Sequence, residues 1–227
     1  MSSILIACRT ISNEVEQALG EVNSNIPVKW VESGLHNYPD DLRRKLQEEI
    51  NCLTSYENIL MAFGSCGNSL IGLTSPKSYI IVPKVDDCIS LLLGSYKQRQ
   101  DYSREMGTYF LTQGWLEYEN NISKEYEHCL KRYGEQRATK ILKIMLENYQ
   151  RLMVIDTGAF CLKDCLKKSV SLAEKLGLEH QVKKGSLKLL KQLITGPWDD
   201  SFCIINPSEK LSLKHFGFVG TSISNAL

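Results

Sequence analysis

The sequence predicts an α/β protein, with one or more largely parallel sheets flanked by helices in a Rossmann-like layout. Three observations carry that prediction. Short apolar runs ending in Gly, Pro or Cys alternate with amphipathic stretches of helical spacing. The helical stretches open on capping or acidic residues and close on glycine. Strand and helix alternate singly along most of the chain, as crossover connections between parallel strands require.

Ser3 to Ala7 is the first predicted strand, and SNEVEQALGEV behind it has helical spacing, with Ser12 as N-cap and Glu14 and Glu16 in the first turn. PVKWVE (27–32) is a second strand, followed by the helix YPDDLRRKLQEEINCL, whose Pro and paired Asp suit a helix N-terminus. Asn58 to Phe63 and Tyr79 to Val82 are the third and fourth strands, and DDCISLLLGSYKQRQ is a helix with an acidic start. The rhythm resumes with a strand at Thr108 to Leu111, a helical stretch from about 124 to 149, the strand RLMVIDTG, the helix LKDCLKKSVSLAEKLG and a closing strand FCIINP. A faint echo between ESGLHNYPDDLRRKLQEEI…SYENILMAFG and GLEHQVKKGSLKLLKQLITG…WDDSFCIINP raises two similar lobes. The expected division is an N-terminal lobe, 1–100, carrying Cys8, His36, Cys66 and Cys88, and a C-terminal lobe, 101–227, with a hinge at Gly94 to Gly107. One continuous domain is the alternative, because no Pro/Gly/Ser-rich linker marks a boundary.

With 27 Lys+Arg against 26 Asp+Glu the chain is nearly neutral, so a nucleic-acid footprint is not expected. Its apolar runs fall far short of the ~20 residues that cross a bilayer, and the N-terminus has no basic region ahead of an apolar stretch. The expectation is a cytoplasmic protein without membrane association. Eight cysteines in a reducing compartment then point to metal, thiol chemistry or core packing before disulfides.

Cys8 ends the first strand, Cys66 sits in the bend after the third, and Cys88 opens the helix after the fourth. In an open parallel sheet these are all C-terminal strand ends, the edge at which such sheets bind ligands. His36 lies on the same edge. Three thiols and an imidazole suit zinc or iron, and three protein ligands with an open position are the catalytic arrangement. Core packing is the competing explanation for each cysteine taken alone.

Cys66 has a second interpretation, as a nucleophile on the strand-to-helix bend GSCGN, with His36 or Asp87 as its base. The same bend, through Gly64, Gly67 and Asn68, offers backbone N–H groups to a ligand, though it lacks the P-loop Lys-Ser/Thr and the dinucleotide spacing. Asp86 and Asp87 precede Cys88, either capping the helix or orienting a ligand. Tyr109 and Trp115 surround a strand exit where aromatics would flank a planar or apolar ligand, with core packing the commoner use, and Asp156 ends another strand as a further site candidate or as an Asx-turn or helix cap. Cys161 and Cys165 share a predicted helical face, Cys52, Cys129 and Cys203 fit core positions, His128 and His215 fit solvated ones, and His180 has no evident role.

The ordered set CRTISNEVE, GLHNYPDDLRRKLQ, FGSCGNSLIGL, IVPKVDDCISLLLGS, GTYFLTQGWLE, YGEQRA, VIDTG and GPWDD resembles an uncharacterised domain-of-unknown-function group of anaerobic archaea and bacteria. Genes of that group often neighbour corrinoid-dependent methyltransferases. The resemblance implies a setting, one-carbon and corrinoid metabolism, without implying a reaction, and Cys8, His36, Cys66 and Cys88 fall in its best-defined motifs. Three functions are therefore expected to compete: a zinc or iron protein in corrinoid-linked methyl transfer, a metal-free enzyme using Cys66, and a non-catalytic accessory that holds a corrinoid, a corrinoid protein or a methyltransferase.

Overall fold

The computed structural model describes residues 2–118 and 122–217. In chain order the elements are β1 (Ser3–Cys8), α1 (Ser12–Glu21), β2 (Val28–Val31), α2 (Pro39–Cys52), β3 (Asn58–Ala62), β4 (Tyr79–Pro83), α3 (Cys88–Leu93), α4 (Tyr96–Glu105), β5 (Thr108–Leu111) and α5 (Gln113–Glu117). There follow α6 (Ile122–Tyr133), α7 (Glu135–Met145), β6 (Arg151–Asp156), α8 (Leu162–Leu176), β7 (Glu179–Lys184), α9 (Lys188–Thr195), β8 (Phe202–Ile205) and α10 (Leu213–Phe216). The result is the α/β layout expected.

β1 and β3 are apolar and almost wholly buried because they are interior strands. β1 is flanked in parallel by β2 and β3, β3 by β4, and the sheet order is β2-β1-β3-β4-β8. From β1 the chain turns first to one side and then to the other, so the strand order reverses between the C-terminal ends of β1 and β3. A parallel sheet opens a crevice at such a point. The last strand, β8, returns from the C-terminal half and pairs antiparallel with β4, Ile80 opposite Ile205.

A second, all-parallel sheet has the order β5-β6-β7. β7 (EHQVKK) lies in a segment to which the sequence assigns no strand, and the helix α9 begins at Lys188. The residues of β7 are mostly exposed and polar, as a sheet edge tends to be, which removes the apolar pattern that marks a strand. The single helix predicted over 124–149 is two helices, α6 and α7, separated at Gly134.

Alternate residues of β5 and β6 enter different cores. Phe110, Met153 and Ile155 join the core of the first sheet, while Leu111, Leu152 and Val154 join a second core with α6, α7 and α8. Burying each such side chain contributes about 1.5–3 kcal/mol, so the two sheets are held by a shared apolar layer. The stretch Gly94 to Gly107, expected as a hinge, carries α4 and is anchored from it: Arg99 pairs with Asp87 and lies over the Phe110 ring at 5.5 Å. Among the described residues no helix is long and apolar enough to cross a membrane.

Candidate functional site

The loop leaving β3 and the loop leaving β4 are zipped together. Ser65 N–H donates to the Val85 carbonyl (2.9 Å), Cys66 N–H to the Asp86 carbonyl (2.7 Å), and the Ser65 hydroxyl to the same Asp86 oxygen (3.1 Å). The loops approach so closely at Gly64 that a Cβ there would lie 2.5 Å from the Asp87 Cα and 2.7 Å from its carbonyl carbon. Only glycine fits. Past this contact the chain turns through three successive left-handed residues, Cys66 (φ 43°), Gly67 (φ 66°) and Asn68 (φ 68°). Arg43 of α2 props the turn by donating to the Asn68 carbonyl at 3.1 Å. A left-handed cysteine is strained by roughly 1–3 kcal/mol, and this hydrogen-bonded frame holds it there.

The zipper brings two of the predicted thiols, Cys66 and Cys88, together. Cys88, the first residue of α3, is buried, with its thiol against that of Cys66 and near the Gly64 amide. Its pKa is raised well above the usual thiol value by the hydrogen bond with Cys66 and by burial. Cys8, buried at the end of β1, donates to the Thr10 hydroxyl at 3.4 Å, and its pKa is pushed up to about 12 by burial and then by Cys88. Cys66 is half-buried. Cys66 and Cys88 thus meet at the strand exits, and Cys8, turned to Thr10, lies within electrostatic reach of Cys88.

The remaining predicted residues divide. Asp87 caps α3, accepting from Ser90 N–H at 2.7 Å, and pairs with Arg99 Nε at 2.6 Å, so both of its oxygens are engaged. Asp86 hydrogen-bonds Ser90 and its pKa is pushed up to about 6 by burial and then by Asp87. His36 stands in a 3₁₀ turn (Leu35–Asn37), exposed and within electrostatic reach of Asp87. Desolvation by its neighbours holds its pKa below the usual imidazole value in spite of Asp87, so it is neutral at neutral pH.

Tyr109 lies away from the crevice. It faces the second core and meets Tyr149 edge-on at 5.6 Å between ring centroids. Trp115 packs on both cores, at the seam of the two sheets. Asp156 accepts from Gly158 N–H at 3.1 Å in a turn-forming role. Cys165 is buried in the second core and Cys161 is exposed; Cys129 and Cys203 are buried as expected, but Cys52, expected in the core, is exposed at the end of α2. His215 bonds Glu209 and Ser212, and His180 bonds the Ser169 hydroxyl at 3.0 Å. Two charged residues at the strand exits have no distinguishing sequence signal: Arg99, in a polar helix, and Glu14, which resembles any acidic residue of a first helical turn.

Among the described residues, no three His, Cys, Asp or Glu side chains stand in an arrangement that would hold a metal ion as they are. The sulfurs suit a soft or borderline metal by chemistry, and their side chains would have to rearrange to ligate one.

A mainly parallel, two-sheet α/β protein with a thiol pair at the C-terminal edge of its larger sheet is the class that fold and site define. The chain belongs to the DUF1638 family, described as a protein of unknown function, whose model matches residues 30–194. His36, Cys66 and Cys88 lie inside the matched region, and Cys8 and Glu14 lie outside it. No curated protein and no solved structure matches the chain.

Proposed function

We propose that the protein binds zinc or iron through Cys8, Cys66 and Cys88, with His36 as fourth ligand or as a partner to the ligands, and acts in corrinoid-linked methyl-transfer metabolism. The contact of the Cys66 and Cys88 thiols at two strand exits, with Cys8 of a third within electrostatic reach of Cys88, carries the metal assignment, and the family resemblance alone supplies the corrinoid setting. A bound cation would supply Lewis acidity, lowering the pKa of a coordinated thiol. The chain's part is to release the protons of buried thiols that are otherwise held high, to keep His36 neutral for coordination, and to fix Cys66 on a rigid turn at the open side.

Protein purified anaerobically is expected to carry about one metal per chain, and Cys66→Ser and Cys88→Ser each to lose most of it, by elemental analysis. Wild-type protein with far less than one equivalent of any transition metal overturns this assignment.

A second interpretation is favoured by one observation: Cys66 alone of the three thiols is half-exposed, and a second thiol stands against it. Metal-free nucleophilic chemistry at Cys66 would use His36 as base, since Asp87 is tied to the helix cap and Arg99. It predicts that Cys66 alkylates near neutral pH at least about tenfold faster than the exposed Cys52 and Cys161, which serve as internal standards. Equal or slower labelling after chelator treatment removes it, and labelling that speeds up only after chelation returns the site to the metal.

A further inference from the structure

We propose that the seam between the two sheets contains a binding site for a small monovalent cation, built from the Glu14 carboxylate and the Thr112 and Thr157 hydroxyls. Glu14, in the first turn of α1, is fully buried. Its Oε1 accepts from the Thr157 hydroxyl, at the exit of β6, at 3.1 Å, while its Oε2 is buried with no partner. The Thr112 hydroxyl, at the exit of β5, faces the same carboxyl without completing a hydrogen bond and is likewise buried and unpartnered, as is Oε1 of the adjacent Gln113. The docking is tight here. A Cβ on Gly114 would collide with the Thr10 carbonyl, so α5 is pressed against the turn that leads into α1.

The unmet atoms are hard oxygen donors, the ligand type of alkali and ammonium ions. A water molecule has two hydrogens and would satisfy two of these oxygens, but it would leave the carboxylate charge unbalanced in a dry seam. Among the described residues no ion pair reaches Glu14. Of charged groups, Glu117 of α5 acts on Glu14, and Cys165 of α8 feels Glu14 together with Glu117, Asp156 at the end of β6 and Lys168. One buried carboxylate balances one positive charge, which selects a monovalent over a divalent ion. Burial pushes the Glu14 pKa up to about 7, so a proton competes for the site and the cation gains as pH rises.

The test is thermal unfolding of the full chain in chlorides of sodium, potassium, ammonium or tetramethylammonium at equal ionic strength. At pH 8 at least one small cation is expected to raise Tm by about 3 °C or more over tetramethylammonium, saturably. The gain should shrink at pH 5.5 and vanish in Glu14→Gln. Thr112→Val, which removes one donor at constant shape, should weaken it and covers the case in which Glu14→Gln does not fold. The ion giving the largest shift distinguishes alkali metal from ammonium. Equal Tm in all four salts, or an undiminished gain in Glu14→Gln and Thr112→Val, overturns the proposal and leaves the seam to a proton or water.

Discussion

Gly64→Ala is expected to lower stability by about 3 kcal/mol or more and to abolish the thiol cluster in whatever remains folded. Overpacking by one methyl costs about 1–3 kcal/mol when neighbouring side chains can yield. Here the obstacle is the backbone of Asp87, fixed by the Val85 and Asp86 hydrogen bonds, by the cap to Ser90 and by the Arg99 ion pair. Room for the methyl requires the β3 and β4 exit loops to separate, which moves Cys66 away from Cys88. Gly20→Ala is the matched control. It lies in α1 with nothing within 4 Å of its would-be Cβ, so it should be neutral or stabilising by up to about 1 kcal/mol. Denaturant unfolding with Cys66 labelling reads both effects, and a Gly64→Ala midpoint equal to that of Gly20→Ala would show that the loops are not locked.

That Cys8, Cys66 and Cys88 share one edge of the sheet was legible in the sequence because its logic is topological, whereas the contact of Cys66 with Cys88 depends on the zipped exit loops. Cys8, Cys66 and Cys88 each follow a clear apolar run, and a central β1 in a parallel sheet brings their strand ends together. What escaped depended on which surface meets which. Both faces of β5 are covered, so its composition held no sign that Phe110 would enter the first core and Tyr109 the second. β7 is polar because it is an edge, and the place of β8 in the first sheet depends on a long-range antiparallel pairing. Glu14 is the sharpest case. Its burial is produced by Thr112 and Thr157, the latter 143 residues away, and a helical first turn reads the same whether it faces solvent or a seam.

Glu14 should also impose a pH dependence on stability that its amide lacks. The folded-state pKa of about 7 stands above the ordinary carboxyl value of 4.5, so the folded protein holds this proton more tightly than the unfolded chain. Below pH 4.5 the group is neutral in both states and costs nothing. As pH rises from 4.5 to 7 the unfolded chain releases the proton first and stability falls, by roughly 3 kcal/mol at about 1.4 kcal/mol per pKa unit. Above 7 both states are ionised and the loss is complete. In tetramethylammonium buffer, where no small cation offsets the buried charge, Glu14→Gln should therefore match wild type near pH 4.5 and exceed it by about that amount at pH 8. The measurement is the difference between the two proteins in denaturant unfolding across this window, in which other titrations cancel. A difference that stays constant with pH would mean that Glu14 does not change its protonation there, and the seam would then have to satisfy its oxygens by hydrogen bonds alone.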